Sequence, residues 1–250
     1  LAELAHSFDI PLIMDNTVAT AYLVKPLSLG ADIVVNSTSK YINANSSAIS
    51  GVITDGGKFK WDTEKYPGMK DFKKFGPFAY TAKLRNGLFR NTGACLSPQN
   101  AFYNSIGMET LGLRMERVCD NAKTLAQFFA TEYSDIEVNY PGLAGSKWHN
   151  IATEQFGDKF GGIITIRTGN KKRAFGIIDA LKLPLIVSNI GDTKTLVIHP
   201  ESTLNVHSTQ EEKETAGVFD DLIRISVGIE DIEDLIDDFK QAIESVKDVY

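Results

Sequence analysis

Cysteine is almost absent from this chain. Cys95 and Cys119 are the two thiols in 250 residues. Two thiols so far apart exclude a disulfide framework and a cysteine-based metal site. The cytoplasm is therefore the expected compartment. Histidine is scarce as well. His6, His149, His199 and His207 show no pairing at metal-ligand spacing on one helix, so no metal is expected. His199 and His207 are expected to serve structure, Cys95 and Cys119 to be small buried residues, and Trp61 and Trp148 to pack. Long apolar runs are missing. None approaches the roughly 20 residues that a membrane-spanning helix needs, and no membrane partner is expected. Concentrated positive charge is missing too. The formal net charge is −6, and the basic runs at Lys73–Lys74 and Asn170–Arg173 are short enough to be solvated surface. This argues against a nucleic-acid partner. An initiating Met is also lacking. The sequence opens inside an amphipathic pattern (Leu1, Leu4, Ala5, Phe8) without a signal-peptide charge pattern. The chain is expected to be a piece of a longer protein.

What is present is an alternation of strand and helix signals. Pro11–Met14, Ala31–Val35 and Ile49–Thr54 are short and nearly all apolar, as strands covered on both faces are. Between the first two lies a proline-containing segment with a helical turn, residues 22–29. This predicts α/β architecture with a mostly parallel sheet and helices on both sides. Residues 56–78 are polar and aromatic-rich with several Gly and Pro breaks, which predicts a packed functional loop rather than disorder. From Pro98 to Tyr133 apolar residues recur at helical spacing, with Ser97 as N-cap and Pro98 at the first helical position. The run is long enough to bend near Gly107 or Gly112. Further strands are predicted at "IEVNYPG", "GGIITIRTG", "LPLIVSNI", "TLVIHP" and "DLIRISVGI". Helices are predicted at "KKRAFGIIDALK" and at the closing "EDIEDLIDDFKQAIESVK", which has acids early and lysine late, as the helix dipole favours. "EEKETAG" reads as a polar connection. Residues 1–120 are expected to form part of a larger domain and residues 121–250 a smaller α+β domain.

Two reactive side chains stand at two strand ends. Asp15 directly follows the first apolar run. Lys40 lies a few residues past the second, in "NSTSKYINANSS" (Asn36–Ser47). Open α/β sheets bind ligands beyond the carboxyl ends of their strands, so both residues belong to one region. An acid and an amine there fit a plain ion pair, and "STSK" fits an ordinary polar loop. The hydroxyls of Ser37 and Ser39, with turn N–H groups, also fit an anion cradle. An amine, a cradle and a carboxylate together are what pyridoxal phosphate requires. Its aldehyde takes the amine, and its pyridine nitrogen needs the carboxylate to stay protonated.

"LIMDNTVATAYLVKPLSLGADIVVNSTSKYI", "VSNIGDTKTLVIHPEST" and "RISVGIED" resemble the pyridoxal-phosphate enzymes of cysteine and methionine metabolism. "GGKFKW", "LSPQNAFYNSIGMETLGLRMERVCDNA" and "VNYPGL" are similar to their O-acetylhomoserine sulfhydrylase branch. The resemblance implies part of a fold-type I large domain followed by the smaller α+β domain. It implies that Asp15 is the partner of the pyridine nitrogen, Ser37 and Ser39 are phosphate contacts, and Lys40 is the Schiff-base lysine. It implies that Arg224 holds the substrate α-carboxylate with help from Asn189. The activity implied is γ-replacement, in which O-acetylhomoserine and sulfide or a thiol give homocysteine or a thioether and acetate, within methionine and cysteine biosynthesis. Methionine γ-lyase or cystathionine γ-synthase activity uses the same core. The implied partners are an amino-acid substrate, a thiol, and further copies of the chain in a tetramer built as a dimer of dimers with shared active sites. The extended 56–78 segment is expected to cover the active-site mouth. The family's N-terminal portion, with half of the cofactor site, has no counterpart here, which leaves a non-catalytic fragment as the alternative. One departure stands out. Many members carry Gly-Gly-His after the lysine, and this chain has "NANSS" (Asn43–Ser47), which puts the loop's shape in doubt.

Overall fold

The computed structural model describes residues 1–246. The chain divides into two compact units. One is Leu1–Asn43 with Ser47–Met108, and the other is Ala44–Ser46 with the chain from Glu109 onward. The division thus falls between Met108 and Glu109, where the sequence pattern places it at 120/121.

The first unit carries α1 (Ala2–Ser7), β1 (Ile13–Asp15), α2 (Thr20–Leu23), β2 (Ile33–Ser37) and β3 (Gly51–Asp55). β2 is the central strand, parallel to β1 and antiparallel to β3. An antiparallel edge on a parallel pair is common in such sheets. Directly paired residues share a face, so Asp15, Val35 and Ile53 stand on one side, with Ser37 two residues further along. After β3, two short 3₁₀ pieces within Pro67–Phe78 kink at Gly76 (φ 55°). A continuous helical stretch follows, α3 (Ala79–Lys83) running through a π turn (Leu84–Phe89) into α4 (Arg90–Thr92). α5 (Pro98–Glu109) begins where Ser97 Oγ accepts the Asn100 N–H at 3.2 Å, the predicted cap.

The aromatic loop is packed. Trp61 stacks on Tyr80 (5.6 Å, 6°) and meets Phe59 and Tyr66 edge-on. Tyr66 Oη donates to Asp9 O at 2.8 Å and the Lys65 ammonium to Phe8 O. Phe8 and Asp9 precede β1, so these bonds tie the loop to the start of that strand. β3 runs antiparallel to β2, so its last residue, Asp55, lies beside Ile33 at the start of β2. The loop therefore leaves from the end of the sheet opposite Asp15 and Lys40.

The second unit begins with α6 (Leu111–Glu132). The predicted single helix is broken at Thr110 (φ −109°, ψ 4°) rather than bent at a glycine, and the Thr110 carbonyl accepts the Arg114 N–H. Then come β4 (Glu137–Asn139), α7 (His149–Phe156), β5 (Ile163–Arg167), α8 (Lys171–Ala180), β6 (Leu185–Ile186), β7 (Leu196–Ile198), α9 (Gln210–Thr215), β8 (Leu222–Ser226) and α10 (Ile232–Ser245). The sheet order is β4-β5-β8-β7-β6, antiparallel except for β6–β7. The polar "EEKETAG" is helical because Thr209 and Glu212 form a reciprocal capping box. Lys247, the late lysine of the closing helix, lies outside the described residues.

One face of this sheet is apolar. Ile164, Ile166, Ile223 and Ile225 alternate inward and meet Leu125 and Phe129 of α6, Ile177 of α8, and Phe239 and Ile243 of α10, all fully or nearly fully buried. Phe129 and Phe239 pack edge to face at 5.2 Å. Each such side chain contributes about 1.5–3 kcal/mol by leaving water. That burial holds the register, because a one-residue slip of β8 would drive Arg224 into the core. Arg224 and Thr165 are direct partners on the opposite face.

Candidate active site

The predicted cofactor residues lie in the first unit and the predicted substrate-carboxylate residues in the second. In the first, Asp15 ends β1 and is exposed, while Ser37, Ser39 and Lys40 are half-buried at and just past the end of β2. Thr17 connects these two strand ends. Its N–H donates to Asp15 Oδ1 at 2.9 Å, and its Oγ1 accepts the Ser37 N–H at 2.7 Å. The Asn16 N–H extends the parallel pairing to Val35 O at 2.8 Å. The side chain of Asn16 reaches Val24 O at 3.0 Å and anchors the return of the chain.

Lys40 stands on a closed turn. Lys40 N–H bonds to Ser37 O and Asn43 N–H to Thr38 O. Ser50 clamps the turn from the β3 side. Its N–H donates to Ser39 Oγ at 2.8 Å, its carbonyl accepts from Thr38 N–H and Ser39 Oγ, and its hydroxyl accepts from Thr38 Oγ1 at 2.6 Å. Ser39 thus spends its one proton on Ser50, and a phosphate oxygen would have to compete for it. From α5, Asn104 Nδ2 donates to Ser50 Oγ at 2.8 Å. Gly107 closes the same face. A Cβ there would lie 2.2 Å from Ile42 O and 2.9 Å from Asn43 O, so α5 rests directly on the backbone of the lysine turn.

In the second unit the structure brings Asn189 and Arg224 together. Arg224 Nη2 donates to the Asn189 carbonyl at 3.2 Å. The loop bearing Asn189 is fastened along the end of β8. Gly191 N–H donates to Ser226 Oγ at 3.0 Å, Thr195 bonds to the Glu230 carboxylate through N–H and hydroxyl, and Gly228 N–H reaches Thr195 Oγ1 at 2.9 Å. Gly228 has no room for a side chain, since a Cβ would meet Thr193 O at 2.4 Å. Asp192 is also held in this loop. Burial pushes its carboxyl up, but the Lys194 N–H, the Ser46 hydroxyl, the Lys194 charge and the Thr193 hydroxyl outweigh burial and keep it below the ordinary value.

A profile of the Cys/Met metabolism PLP-dependent enzymes matches residues 1–244. The chain belongs to this family. O-acetyl-L-homoserine sulfhydrylase of Corynebacterium glutamicum is 42% identical over 96% of the chain and 58% of its own length. L-methionine gamma-lyase of Fusobacterium nucleatum is 39% identical over 98% of the chain and 58% of its own length. The solved structure of a putative O-acetylhomoserine (thiol)-lyase from Campylobacter jejuni carries N'-pyridoxyl-lysine-5'-monophosphate. It superposes with a TM-score of 0.90 at 34% identity, over 97% of this chain and 61% of that one. The chain therefore spans about 60% of the length of these Cys/Met-metabolism relatives.

Thr17, Ser50, Asn104 and Gly107 were not singled out from sequence as parts of this PLP-family site. Signals existed for two of them. Thr17 follows Asp15 at the spacing of a local side-chain turn, and Gly107 is an isolated glycine in a helical pattern, which marks close packing. Ser50 and Asn104 carry no local signal, because their role depends on which elements meet. Among the other residues, His199 is structural as expected, its ring between Ser202 Oγ and Asp220 O. Cys119 is buried and its thiol is pushed up to about 11 by burial. Cys95 is exposed, contrary to expectation, because it lies in the irregular segment after α4. Trp148 is 54% exposed, with the Lys147 ammonium over its ring at 4.9 Å. Among the described residues no group of three His, Cys, Asp or Glu could hold a metal, and no helix is long and apolar enough to cross a membrane.

Proposed function

We propose that the full-length protein carrying this chain is an O-acetylhomoserine sulfhydrylase. It converts O-acetyl-L-homoserine and sulfide, or a thiol, into homocysteine, or a thioether, and acetate, in methionine and cysteine biosynthesis. The observation that carries this reading is the joining of two strand ends, Asp15 to Thr17 to Ser37, directly before the clamped turn of Lys40. The donor set suits pyridoxal phosphate. A carboxylate is present for the pyridine nitrogen, an amine for the aldehyde, and hydroxyls with turn N–H groups for the phosphate. The choice of reaction is supported by the relatives named sulfhydrylase, of which the Corynebacterium enzyme is 42% identical.

Bound pyridoxal phosphate supplies an electron sink for charge developing at the substrate Cα. Asp15 holds the proton on the pyridine nitrogen. Ser37 holds the phosphate, and Ser39 joins it by turning its proton away from the Ser50 carbonyl. Arg224, with Asn189, fixes the substrate α-carboxylate. Lys40, the attachment residue, takes the proton from Cα and moves protons to and from Cβ, allowing acetate to leave Cγ and sulfide to take its place. The reading includes a cytoplasmic location and a homotetramer, a dimer of dimers with shared active sites.

The test uses the full-length protein. Lys40→Ala loses the long-wavelength absorbance of bound pyridoxal phosphate and its turnover. Persistence of that absorbance overturns the assignment of Lys40. Wild type forms homocysteine from O-acetyl-L-homoserine and sulfide. Release of a 2-oxo acid without a thiol acceptor instead favours the γ-lyase reading, which the 39% identical Fusobacterium enzyme supports.

A further inference from the structure

The tripeptide Ala44–Ser46 belongs with the second unit, and the function proposed above gives it no task. Its backbone is unusual. Ala44 has φ +81° and Ser46 φ +59°, a region that favours glycine. Non-glycine residues held there mark a segment fixed by its surroundings, and often one whose side chain is used. Thr193 N–H donates to Ala44 O at 2.8 Å. The Ser46 hydroxyl makes two bonds, donating to Asp192 Oδ2 at 2.8 Å and accepting from Asn189 Nδ2 at 2.8 Å.

These two bonds have a fixed order. An ionised carboxylate can only accept, so the single proton of Ser46 goes to Asp192. Asp192 is 9% exposed at its side chain, and its other oxygen takes the Lys194 N–H at 3.1 Å. The Ser46 oxygen then offers only lone pairs to Asn189. A side-chain amide can otherwise turn either end toward a hydroxyl, but here only the NH₂ end fits. Arg224 meanwhile holds the backbone carbonyl of the same residue.

We propose that Ser46 is a positioning residue for the substrate-carboxylate site. It locks the Asn189 amide in one orientation, its nitrogen toward Ser46, and so fixes where that side chain can meet the substrate carboxylate. This rests on the reading of Asn189 and Arg224 as the carboxylate contacts.

The experiment compares full-length wild type with Ser46→Gly, which removes the hydroxyl and relieves the backbone, and with Asp192→Asn, which removes the forced proton order. The expected result for both is a KM for O-acetyl-L-homoserine raised about tenfold, the size of one hydrogen bond to a charged group, with kcat changed less than twofold. Ser46→Gly also melts no lower than wild type. The dissociation constant of L-alanine, which has the same α-carboxylate and no leaving group, rises by the same factor. Unchanged KM and unchanged L-alanine affinity overturn the proposal, as does a fall in kcat alone. If wild type does not turn over O-acetyl-L-homoserine, the reaction reading fails, and L-alanine binding still decides the role of Ser46.

Discussion

Replacing Gly107 by alanine should invert the usual effect of that substitution. In a helix interior Gly→Ala is stabilising by about 1 kcal/mol, because glycine loses more backbone entropy on folding. Gly107 lies inside α5, and its φ is not left-handed, so propensity alone forecasts a gain. The added Cβ, however, would stand 2.2 Å from Ile42 O and 2.9 Å from Asn43 O. That is roughly 1 Å short of van der Waals contact. The obstacle is backbone, which cannot rotate away as a side chain can. Either α5 moves out or the turn bearing Lys40 moves, at an overpacking cost of about 3 kcal/mol. The net loss is about 2 kcal/mol, which lowers Tm by about 4–8 °C for a chain of this size. Because Asn104 and Ser50 transmit any shift of α5 to Thr38 and Ser39, affinity for pyridoxal phosphate should fall as well. Thermal unfolding with an absorbance titration of the cofactor measures both. Gly87→Ala is the control, since a Cβ there meets nothing within 4 Å, and it should be neutral or slightly stabilising. A Gly107→Ala protein that melts at or above wild type with unchanged cofactor affinity would refute the contact between α5 and the lysine turn.

Other consequences can be measured in the same way. Thr17→Val removes the acceptor of the Ser37 N–H and should cost about 1–3 kcal/mol, seen as weaker pyridoxal-phosphate binding with little change in KM for the thiol; equal binding would show that Thr17 does not join the strand ends. Gly228→Ala forces the loop at Thr193 and Lys194 apart, so KM for the amino-acid substrate should rise more than cofactor affinity falls. Glu201 is held at about 2 by hydrogen bonds from Lys171 and Lys213, well below its ordinary 4.5. A depressed carboxyl stabilises the fold above its unfolded value, and that contribution is lost as pH falls from 4.5 toward 2. Glu201→Gln should therefore flatten the acid limb of a stability–pH curve in that window and leave its shape near neutrality unchanged. An identical acid limb in both proteins would count against the pair of lysine contacts.

Much of the architecture is legible along the chain. β2, β5, β8, α8 and α10 announce themselves through short apolar runs or amphipathic spacing, because burial of one face leaves a period in the sequence. Misreadings arise where local signals compete. α9 is helical without an apolar face, since its capping box and exposure suffice. The predicted 36-residue helical run parts at Thr110, where apolar periodicity continues but the backbone does not. The end of the sheet from which the loop at Gly56 leaves is not legible, because direction is not written in composition. Once β3 is antiparallel, its exit is settled.

The division between sequence and tertiary structure is clearest at "NANSS". Sequence alone determines that an aspartate and a lysine follow two apolar strands, that hydroxyls precede the lysine, and that an arginine lies in a late buried strand. These are statements about residue type and spacing, and local chemistry is enough to make them. Only the folded chain decides that Thr17 ties Asp15 to Ser37, that Gly107 presses α5 onto the lysine turn, and that Ser46 reaches Asn189 and Asp192, more than 140 positions away. Such contacts depend on which elements pack together, and packing is set by burial summed over the whole unit rather than by any short stretch.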